Sequence, residues 1–335
     1  MGSSLSIWLL LFSATLVAGH EWNTTCTTRT QRPAWNALTD EEKIAYLEAE
    51  KCLQARPAQV GTVGAENRWD ELHWSHISQT SYIHGVHTYV KGGFLPWHRY
   101  FVRVHEYLLQ SECGYEGGQP YWNETADASD LLSSVVLDPD TGFGGDGSCI
   151  TDGPFVDVRL RLNANGATDP YCIYRSLSSR DFSSAVQGNV DACMETTSYE
   201  DARNCFEGSP HNAGHGGVGG LMVNVALSPG DPIFFLHHAY IDKIWWEWQE
   251  LDLEARLTDM SGTNQPGSGG GPGGGGPGGG GPPGLKLRAE TFDYGDPGNE
   301  TTLSHILGMV NIVPDAIIAE VMDLRGDLIC AEYLD

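Results

Sequence analysis

Polar capping residues followed by apolar positions at helical spacing recur along the chain. Thr39-Asp40-Glu41-Glu42 has the pattern of a capping box, and the apolar positions after it predict a first long helix. Further helices are predicted around Trp69 to Ile77 and from near Trp97 to about Gln110. Asp231-Pro232 predicts the start of another, running to about Trp248, because Asp caps free amides and Pro is preorganised for a first helical turn.

The segments between these helices lack such periodicity. Residues Asp127 to Asn204 are rich in Gly, Asp and Ser and predict irregular structure held by disulfides. Residues Pro266 to Gly284 are almost wholly Gly and Pro, so they cannot bury enough surface to offset the entropy of ordering. Apolar residues from Ile306 to Ile318, with Ile329, are expected to pack back on the main core. We therefore predict one mainly α domain over 20–335 with a flexible insertion at about 264–284.

The N-terminus and the cysteines predict export. Leu5 to Ala18 form an apolar run of signal-peptide length followed by Gly19, so residues 1–19 are interpreted as a cleaved signal peptide, although no Lys or Arg precedes the run. Eight cysteines without C-x-x-C spacing are typical of disulfides in a secreted protein. Three glycosylation acceptor tripeptides begin at Asn23, Asn123 and Asn299. These features together predict a secreted, extracellular glycoprotein.

The formal net charge is −25, so the chain is strongly acidic, and this limits the classes of partner that it is expected to bind. Nucleic acid is excluded as an expected partner, because binding to phosphates requires clustered Lys and Arg. The chain has no second long apolar stretch after the leader, so no membrane span is expected. Oligomeric state is left open by the sequence.

The histidines are placed unevenly. Six lie between His73 and His105, and four lie between His211 and His238. His211 and His215 are spaced i and i+4, which puts both imidazoles on one helix face where they can bind one ion. Neutral imidazole suits copper. Each half of the chain supplies at least three imidazoles, enough for one copper each, and the absence of H-E-x-x-H argues against a zinc protease.

The helix after Asp231 is strongly apolar around His237 and His238, so these histidines are expected to be buried and to need partners. Phe234 lies one turn before His238 and Asp242 one turn after it. We expect Phe234 to form a wall of the site and Asp242 to orient an imidazole from behind.

Two motifs in this order resemble the copper motifs of the tyrosinase and catechol oxidase family, the type 3 copper proteins, and are most similar to those of short secreted fungal tyrosinases. They are Gly93-Phe94-Leu95-Pro96-Trp97-His98-Arg99-Tyr100-Phe101 and Asp231-Pro232-Ile233-Phe234-Phe235-Leu236-His237-His238-Ala239-Tyr240-Ile241-Asp242. The resemblance implies a four-helix-bundle core that holds a binuclear copper centre, with long irregular disulfide-linked loops around it. It also implies two copper ions as cofactors, O2 as co-substrate and small phenols as substrates.

The resemblance implies a ligand set for each copper. His76, His84 and His98 correspond to the ligands of the first ion, and His211, His215 and His238 to those of the second, with His237 as a neighbour. His87 rivals His84, because the spacing from His84 to His98 is longer than in the family. His73 and His105 correspond to no ligand and are expected to be structural. The cysteine that many relatives crosslink to the second histidine is replaced by Tyr82, so that thioether is expected to be absent.

Further expectations concern the reaction. Glu207 resembles a glutamate that holds a water near the site in relatives, and Asn212 stands where monophenol-hydroxylating members often have asparagine, so the two could position a water as base. Val225, by loose analogy with a gate residue, suggests an open site. The chain ends at Asp335 without a shielding domain, so no proteolytic activation is expected. The predicted activity is oxidation of o-diphenols to o-quinones, with hydroxylation of some monophenols.

Three alternatives remain at this point. A hemocyanin-like protein would bind oxygen at the same kind of centre without turnover. A single-copper oxidase could use a mature N-terminal His20 as ligand, but it leaves the other histidines unexplained. A zinc hydrolase is the third alternative, and metal analysis distinguishes it.

Overall fold

The computed structural model describes residues 22, 25–62, 64–84, 91–265 and 294–335. The predicted signal peptide at 1–19, the sequon at Asn23, His20 and His87 lie outside the described residues. The same holds for most of the predicted Gly/Pro-rich insertion, from residue 266 onward.

Four long helices form the framework, and they agree with the sequence prediction. They are α1 (Asp40–Ala55), α2 (Arg68–Ile83), α3 (Phe94–Cys113) and α9 (Ile233–Glu250). The capping box predicted at Thr39 is present, since its hydroxyl accepts from the Glu42 amide while the Glu42 carboxylate accepts from the Thr39 amide. A second capping box joins Asn67 and Asp70 at the start of α2.

Shorter elements connect these helices and complete the chain. The helices are α4 (Glu124–Asp127), α5 (Ser179–Phe182), α6 (Gln187–Met194), α7 (Tyr199–Phe206), α8 (Asn212–Val218), α10 (Leu253–Arg256) and α11 (Ile318–Val321). The strands are β1 (Thr30–Arg32), β2 (Leu160–Asn163), β3 (Gly166–Tyr171), β4 (Ile306–Leu307), β5 (Ala316–Ile317) and β6 (Ala331–Tyr333). The segment expected to be irregular after Asp127 is thus more ordered than predicted, because short caps and a hairpin organise it locally.

The strands form three two-stranded sheets among the described residues. β2 and β3 make an antiparallel hairpin, and β4 pairs antiparallel with β5. β1 and β6 pair in parallel, with Thr30 opposite Ala331. This last sheet holds both ends of the domain together, so the segment after the insertion does pack back on the main core, as predicted.

All eight cysteines form disulfides. The pairs are Cys26–Cys330, Cys52–Cys113, Cys149–Cys172 and Cys193–Cys205. Two of them close loops within the predicted irregular segment or at its end, and Cys26–Cys330 reinforces the sheet of the chain ends. The fold is therefore mainly α with disulfide-linked loops. Within the described residues, no helix combines the length and the apolar character that crossing a membrane requires.

The two groups of histidines lie at the centre of a four-helix bundle. Three of its helices, α2, α3 and α9, belong to the framework, and the short helix α8 is the fourth. α3 packs against α9, and both α2 and α8 contact this pair. The apolar residues expected around the second motif are fully buried, including Phe234, Phe235 and Trp245. The bundle therefore shields a polar interior with aromatic side chains.

Candidate metal centre

A first histidine cluster, His76, His84 and His98, joins α2 to α3. His76 lies inside α2, His84 follows its last residue, and His98 lies one turn into α3. The Nε2 atoms of His76 and His84 are 3.1 Å apart. One ring nitrogen from each of the three residues lies within 4.8 Å of the others. The structure thus brings together the three residues predicted for the first copper.

A second histidine cluster, His211, His215, His237 and His238, joins α8 to α9. One ring nitrogen from each of these four residues also lies within 4.8 Å of the others. Between α7 and α8, residues Glu207–His211 form one turn of π-helix that contains Pro210. Such wide turns occur often at functional sites because they change which side chains share a face. Here the ring centroids of His211 and His215 lie 4.4 Å apart.

Backbone carbonyls fix the tautomers of three of these imidazoles. The Nδ1 atoms of His76, His98 and His215 lie 3.2, 2.7 and 2.6 Å from the carbonyl oxygens of Ala226, Phe94 and Met222, respectively. A carbonyl oxygen only accepts hydrogen bonds, so each Nδ1 must carry the proton and donate. The Nε2 atom of each ring consequently presents a lone pair. This is the arrangement by which proteins orient histidine ligands of metals.

The Nε2 atoms converge on one another inside the bundle. His76 Nε2 faces His84 Nε2 at 3.1 Å, and His215 Nε2 faces His238 Nε2 at 3.3 Å. His98 Nε2 and both ring nitrogens of His211 are buried without a hydrogen-bond partner among the described residues. Buried polar atoms without partners are costly, and a metal ion between converging nitrogens would satisfy them. A set of neutral imidazoles suits copper, so the residues present fit two copper ions.

The two clusters share a wall. The rings of His98 and His238 stack with centroids 4.1 Å apart and an angle of 10° between their planes. The ring centroid of Phe94 lies 4.9 Å from that of His211 and 4.8 Å from that of His98, so this ring contacts both clusters. Phe234 lies 4.1 Å from His238 and forms the wall that the sequence predicts. The clusters are therefore two halves of one centre.

Burial keeps these imidazoles uncharged at neutral pH. Desolvation lowers the pKa of His76 to about 3, and it lowers the pKa of His98 and His211 well below the usual value of 6.5. The neighbouring imidazoles lower the pKa of each further, because two positive rings would repel each other. Ligands must be unprotonated to bind a metal, so the fold holds the centre in its binding form.

The two other predicted site residues lie on the π-helical turn and the start of α8. The carboxylate of Glu207 is 3.9 Å from His84 Nδ1 and forms an ion pair of 2.5 Å with Arg203. The side chain of Asn212 is exposed, and its amide donates to the Gly208 carbonyl at 3.3 Å. Glu207 therefore borders the first cluster, whereas Asn212 faces solvent beside His211.

The remaining histidines of the two groups have separate environments. His105 Nδ1 lies 2.8 Å from Gln119 Oε1, and its Nε2 lies 3.2 Å from Glu50 Oε2. His105 therefore belongs to a buried polar network, as expected of a structural residue. His73 is fully buried on α2, and neither ring nitrogen has a well-aligned partner among the described residues. His237 belongs to the second cluster by distance.

Tyr82 occupies the position at which many relatives carry a crosslinking cysteine. Its ring packs against Tyr294, with centroids 4.9 Å apart. Because every cysteine of the chain is paired in a disulfide, none is left to form a thioether with His84.

The expectation for Asp242 is wrong. Its carboxylate accepts from Arg32 at 3.3 Å, from Arg99 at 2.5 Å and from the Tyr333 hydroxyl at 2.7 Å, and it forms no hydrogen bond with an imidazole of the described residues. The spacing from His238 places Asp242 one turn further on α9, but at that depth two buried guanidinium groups require a counter-ion more than an imidazole does.

Two features of the site carry no sequence signal that could have revealed them. The loop between Met222 and Ala226 orients one histidine of each cluster through carbonyl oxygens, and a backbone acceptor has no residue signature. Val225 lies half-buried in this loop, directly before Ala226. Glu124 contacts His237 across a separation of 113 residues.

Comparisons with known proteins agree with this geometry. The profile described as the common central domain of tyrosinase matches residues 66–251. The tyrosinase-like protein phomQ1 of Diaporthe leptostromiformis is 28% identical over 92% of this chain and 78% of its own length. The N-acetyl-6-hydroxytryptophan oxidase ivoB of Emericella nidulans is 27% identical over 90% of this chain and 91% of its own length.

A solved structure extends the likeness to the fold. A single-residue mutant of the polyphenol oxidase from Thermothelomyces thermophila is 26% identical, and the alignment covers 92% of this chain and 89% of that one with a TM-score of 0.73. The matched profile includes every member of both histidine clusters. This chain belongs to the tyrosinase family and is a copper oxidoreductase of the polyphenol oxidase type.

Proposed function

We propose that the protein uses O2 to oxidise o-diphenols to o-quinones, and that His76, His84 and His98 hold one copper while His211, His215 and His238 hold the other. The observation that supports this most directly is the convergence of buried, unprotonated nitrogens in two clusters that share the stacked rings of His98 and His238. Two catechols and one O2 would yield two o-quinones and two waters. When bound, the copper ions would supply the redox chemistry that transfers electrons from the phenol to O2.

The side chains around the clusters would bind and orient the phenol. Phe94 contacts histidines of both clusters, so a flat aromatic substrate beside it would reach both metal positions. Val225 leaves more room next to the loop that orients His76 than a larger residue would. We infer that the protein accepts small mono- and dicyclic phenols, which is consistent with the name of the relative ivoB, an N-acetyl-6-hydroxytryptophan oxidase.

We propose that Glu207, aided by Asn212, positions a water that takes the proton from an incoming monophenol. The Glu207 carboxylate lies 3.9 Å from Nδ1 of His84, at the edge of the first cluster, which supports this proposal. One monophenol and one O2 would then yield one o-quinone and one water. The ion pair with Arg203 fixes the position of this carboxylate. Because hydroxylation needs this additional proton transfer, we expect it to be slower than diphenol oxidation.

Oxygen uptake by the copper-loaded protein tests the function. We expect uptake with catechol and 4-methylcatechol, matched by quinone formation, and slower uptake with 4-methylphenol. Protein that holds two coppers per chain but consumes no diphenol would contradict the oxidase and favour an oxygen carrier. Glu207→Gln should lower the ratio of monophenol to diphenol rate by at least about tenfold. Glu200→Gln, an exposed carboxylate on α7, is the matched control and should leave the ratio unchanged.

We also propose that the protein is exported. Four disulfides support an oxidising compartment, since such bonds are rare in the cytosol. Expression in a secreting fungal host, followed by N-terminal sequencing of protein from the medium, tests export and cleavage at residue 19 together. Retention of the full leader inside the cell would contradict it.

A further inference from the structure

Glu124 and His237, a member of the second cluster, form a buried pair that the proposed ligand set leaves unused. Both side chains are fully buried, and Glu124 Oε1 lies 2.5 Å from His237 Nδ1. Among the residues that the structure describes, the other carboxylate oxygen, Oε2, and the other ring nitrogen, Nε2, have no hydrogen-bond partner. Burying a carboxylate lowers the stability of the fold unless its oxygens are hydrogen-bonded or paired with a charge.

Three contacts place this pair. The Trp122 amide donates to the Leu236 carbonyl at 3.1 Å, which brings the start of α4 to α9 directly before His237. Gly214, between His211 and His215 in α8, lies against both side chains. A Cβ atom on Gly214 would be 2.3 Å from His237 Nδ1 and 2.7 Å from Glu124 Oε1. The pair is therefore wedged between the helices that carry the second cluster.

Distance does not distinguish His237 from His238 as the third ligand of the second copper. The centroid of the His237 ring lies 4.6 Å from that of His215 and 5.3 Å from that of His211. For His238 the corresponding distances are 5.4 and 5.2 Å. Either imidazole could thus join His211 and His215 after a small rotation.

Hydrogen bonding distinguishes them. His237 is bound through Nδ1 to Glu124, whereas His238 Nδ1 has no partner in the described part of the chain. The His238 ring can therefore adjust to a metal without losing a hydrogen bond at Nδ1. Rotation of His237 toward the metal would break its bond and leave Glu124 with both oxygens buried and unsatisfied. Leaving a buried polar group unpaired is unfavourable, and more so if it is charged.

We propose that Glu124 is a positioning residue that holds His237 out of the coordination of the second copper and so assigns the third ligand position to His238. His237 is then a nitrogen donor that can bind the metal only when Glu124 releases it. This inference rests on the proposed ligand set. It predicts that removal of the carboxylate allows His237 to replace a missing His238.

Copper retention tests the inference without relying on activity. Each protein is loaded with copper, dialysed against a competing chelator and analysed for copper per chain. The unaltered protein should retain two, and a value of one or none would contradict the proposed function itself. His238→Ala should fall to one copper per chain. His238→Ala with Glu124→Ala should return toward two, and further addition of His237→Ala should abolish that recovery.

Two variants of similar size distinguish the hydrogen bond of Glu124 to His237 from the space that the Glu124 side chain fills. Glu124→Gln keeps a hydrogen-bonding side chain at His237 and should give no recovery in the His238→Ala background, whereas Glu124→Leu fills the space without an acceptor and should give the same recovery as Glu124→Ala. His237→Ala alone should retain two coppers. The inference is overturned if His237→Ala alone loses a copper, if His238→Ala retains two, or if no Glu124 variant that remains folded by circular dichroism recovers the second.

Discussion

Gly214 lies between the two histidines that α8 contributes to the second cluster, and Gly214→Ala is a sharp test of the packing there. The added Cβ would lie 2.3 Å from His237 Nδ1, 2.4 Å from its Cε1 and 2.7 Å from Glu124 Oε1. Ordinary van der Waals contact begins near 3.4 Å, so a neighbouring group must move by about 1 Å. Both neighbours are fully buried, so neither can turn into solvent to make room.

The expected cost follows from three effects. Overpacking a dense interior costs about 1–3 kcal/mol. Separation of His237 from Glu124 leaves buried polar atoms unsatisfied, at about another 1–3 kcal/mol. Alanine favours a helix over glycine by about 0.5–1 kcal/mol, which offsets a part. We expect a net loss of about 1–5 kcal/mol in the free energy of unfolding, together with weaker retention of the second copper.

Gly208→Ala is the matched control. Gly208 lies in the same helical stretch, six residues earlier, and a Cβ there would meet nothing within 4 Å. We expect this variant to be as stable as the unaltered protein or slightly more stable, with full copper content. Thermal unfolding by circular dichroism and copper analysis would be measured on both variants. If Gly214→Ala matched Gly208→Ala in melting temperature and copper content, the contact between α8 and the Glu124–His237 pair would not constrain the centre as described.

Three further predictions concern stability. Burial lowers the pKa of His73 to about 4 and of His76 to about 3, below the unfolded value near 6.5, so the unfolded chain takes up protons first as the pH falls. When the pH is lowered from 7.5 to 5.5, each of these two histidines should reduce the unfolding free energy of the copper-free protein by about 1.4 kcal/mol. A urea midpoint that does not change between these pH values would contradict this. Replacing Cys26 and Cys330 by serine opens a 304-residue loop and should cost about 5 kcal/mol, seen as a lower melting temperature. Asp242→Ala leaves the buried Arg99 without its carboxylate partner, while Arg32 keeps Glu106, and should cost about 3–5 kcal/mol in urea unfolding, whereas a loss below about 1 kcal/mol would show that the ion pairs contribute little.

Local patterns along the chain are sufficient to predict the helices and most of the candidate ligands. The capping box at Thr39 and the start of α9 depend on neighbouring residues, so they are readable without the fold. His211 and His215 share a face because their spacing matches a helical turn. The two motifs around His98 and His238 identify the family for the same reason, since each is a contiguous run on one helix.

The choice between neighbouring candidates depends on contacts that cross the chain. The spacing of Asp242 from His238 indicates a shared helix side but cannot show that two arginines, one 210 residues away, take up the carboxylate. Likewise, His237 and His238 are adjacent in an apolar run, and the sequence does not show that Glu124, 113 residues away, pairs with His237 while His238 stacks on His98.

The sequence by itself determined the helices, the family and the two groups of histidines, because these follow from spacing along a single element. Tertiary structure alone decided the tautomers of His76 and His215, through the carbonyl oxygens of one loop, and the counter-ions of the buried charges. Backbone acceptors are the same for every residue type, and a buried charge takes whichever opposite charge the packing brings near it. Such pairings become visible only when the helices are assembled.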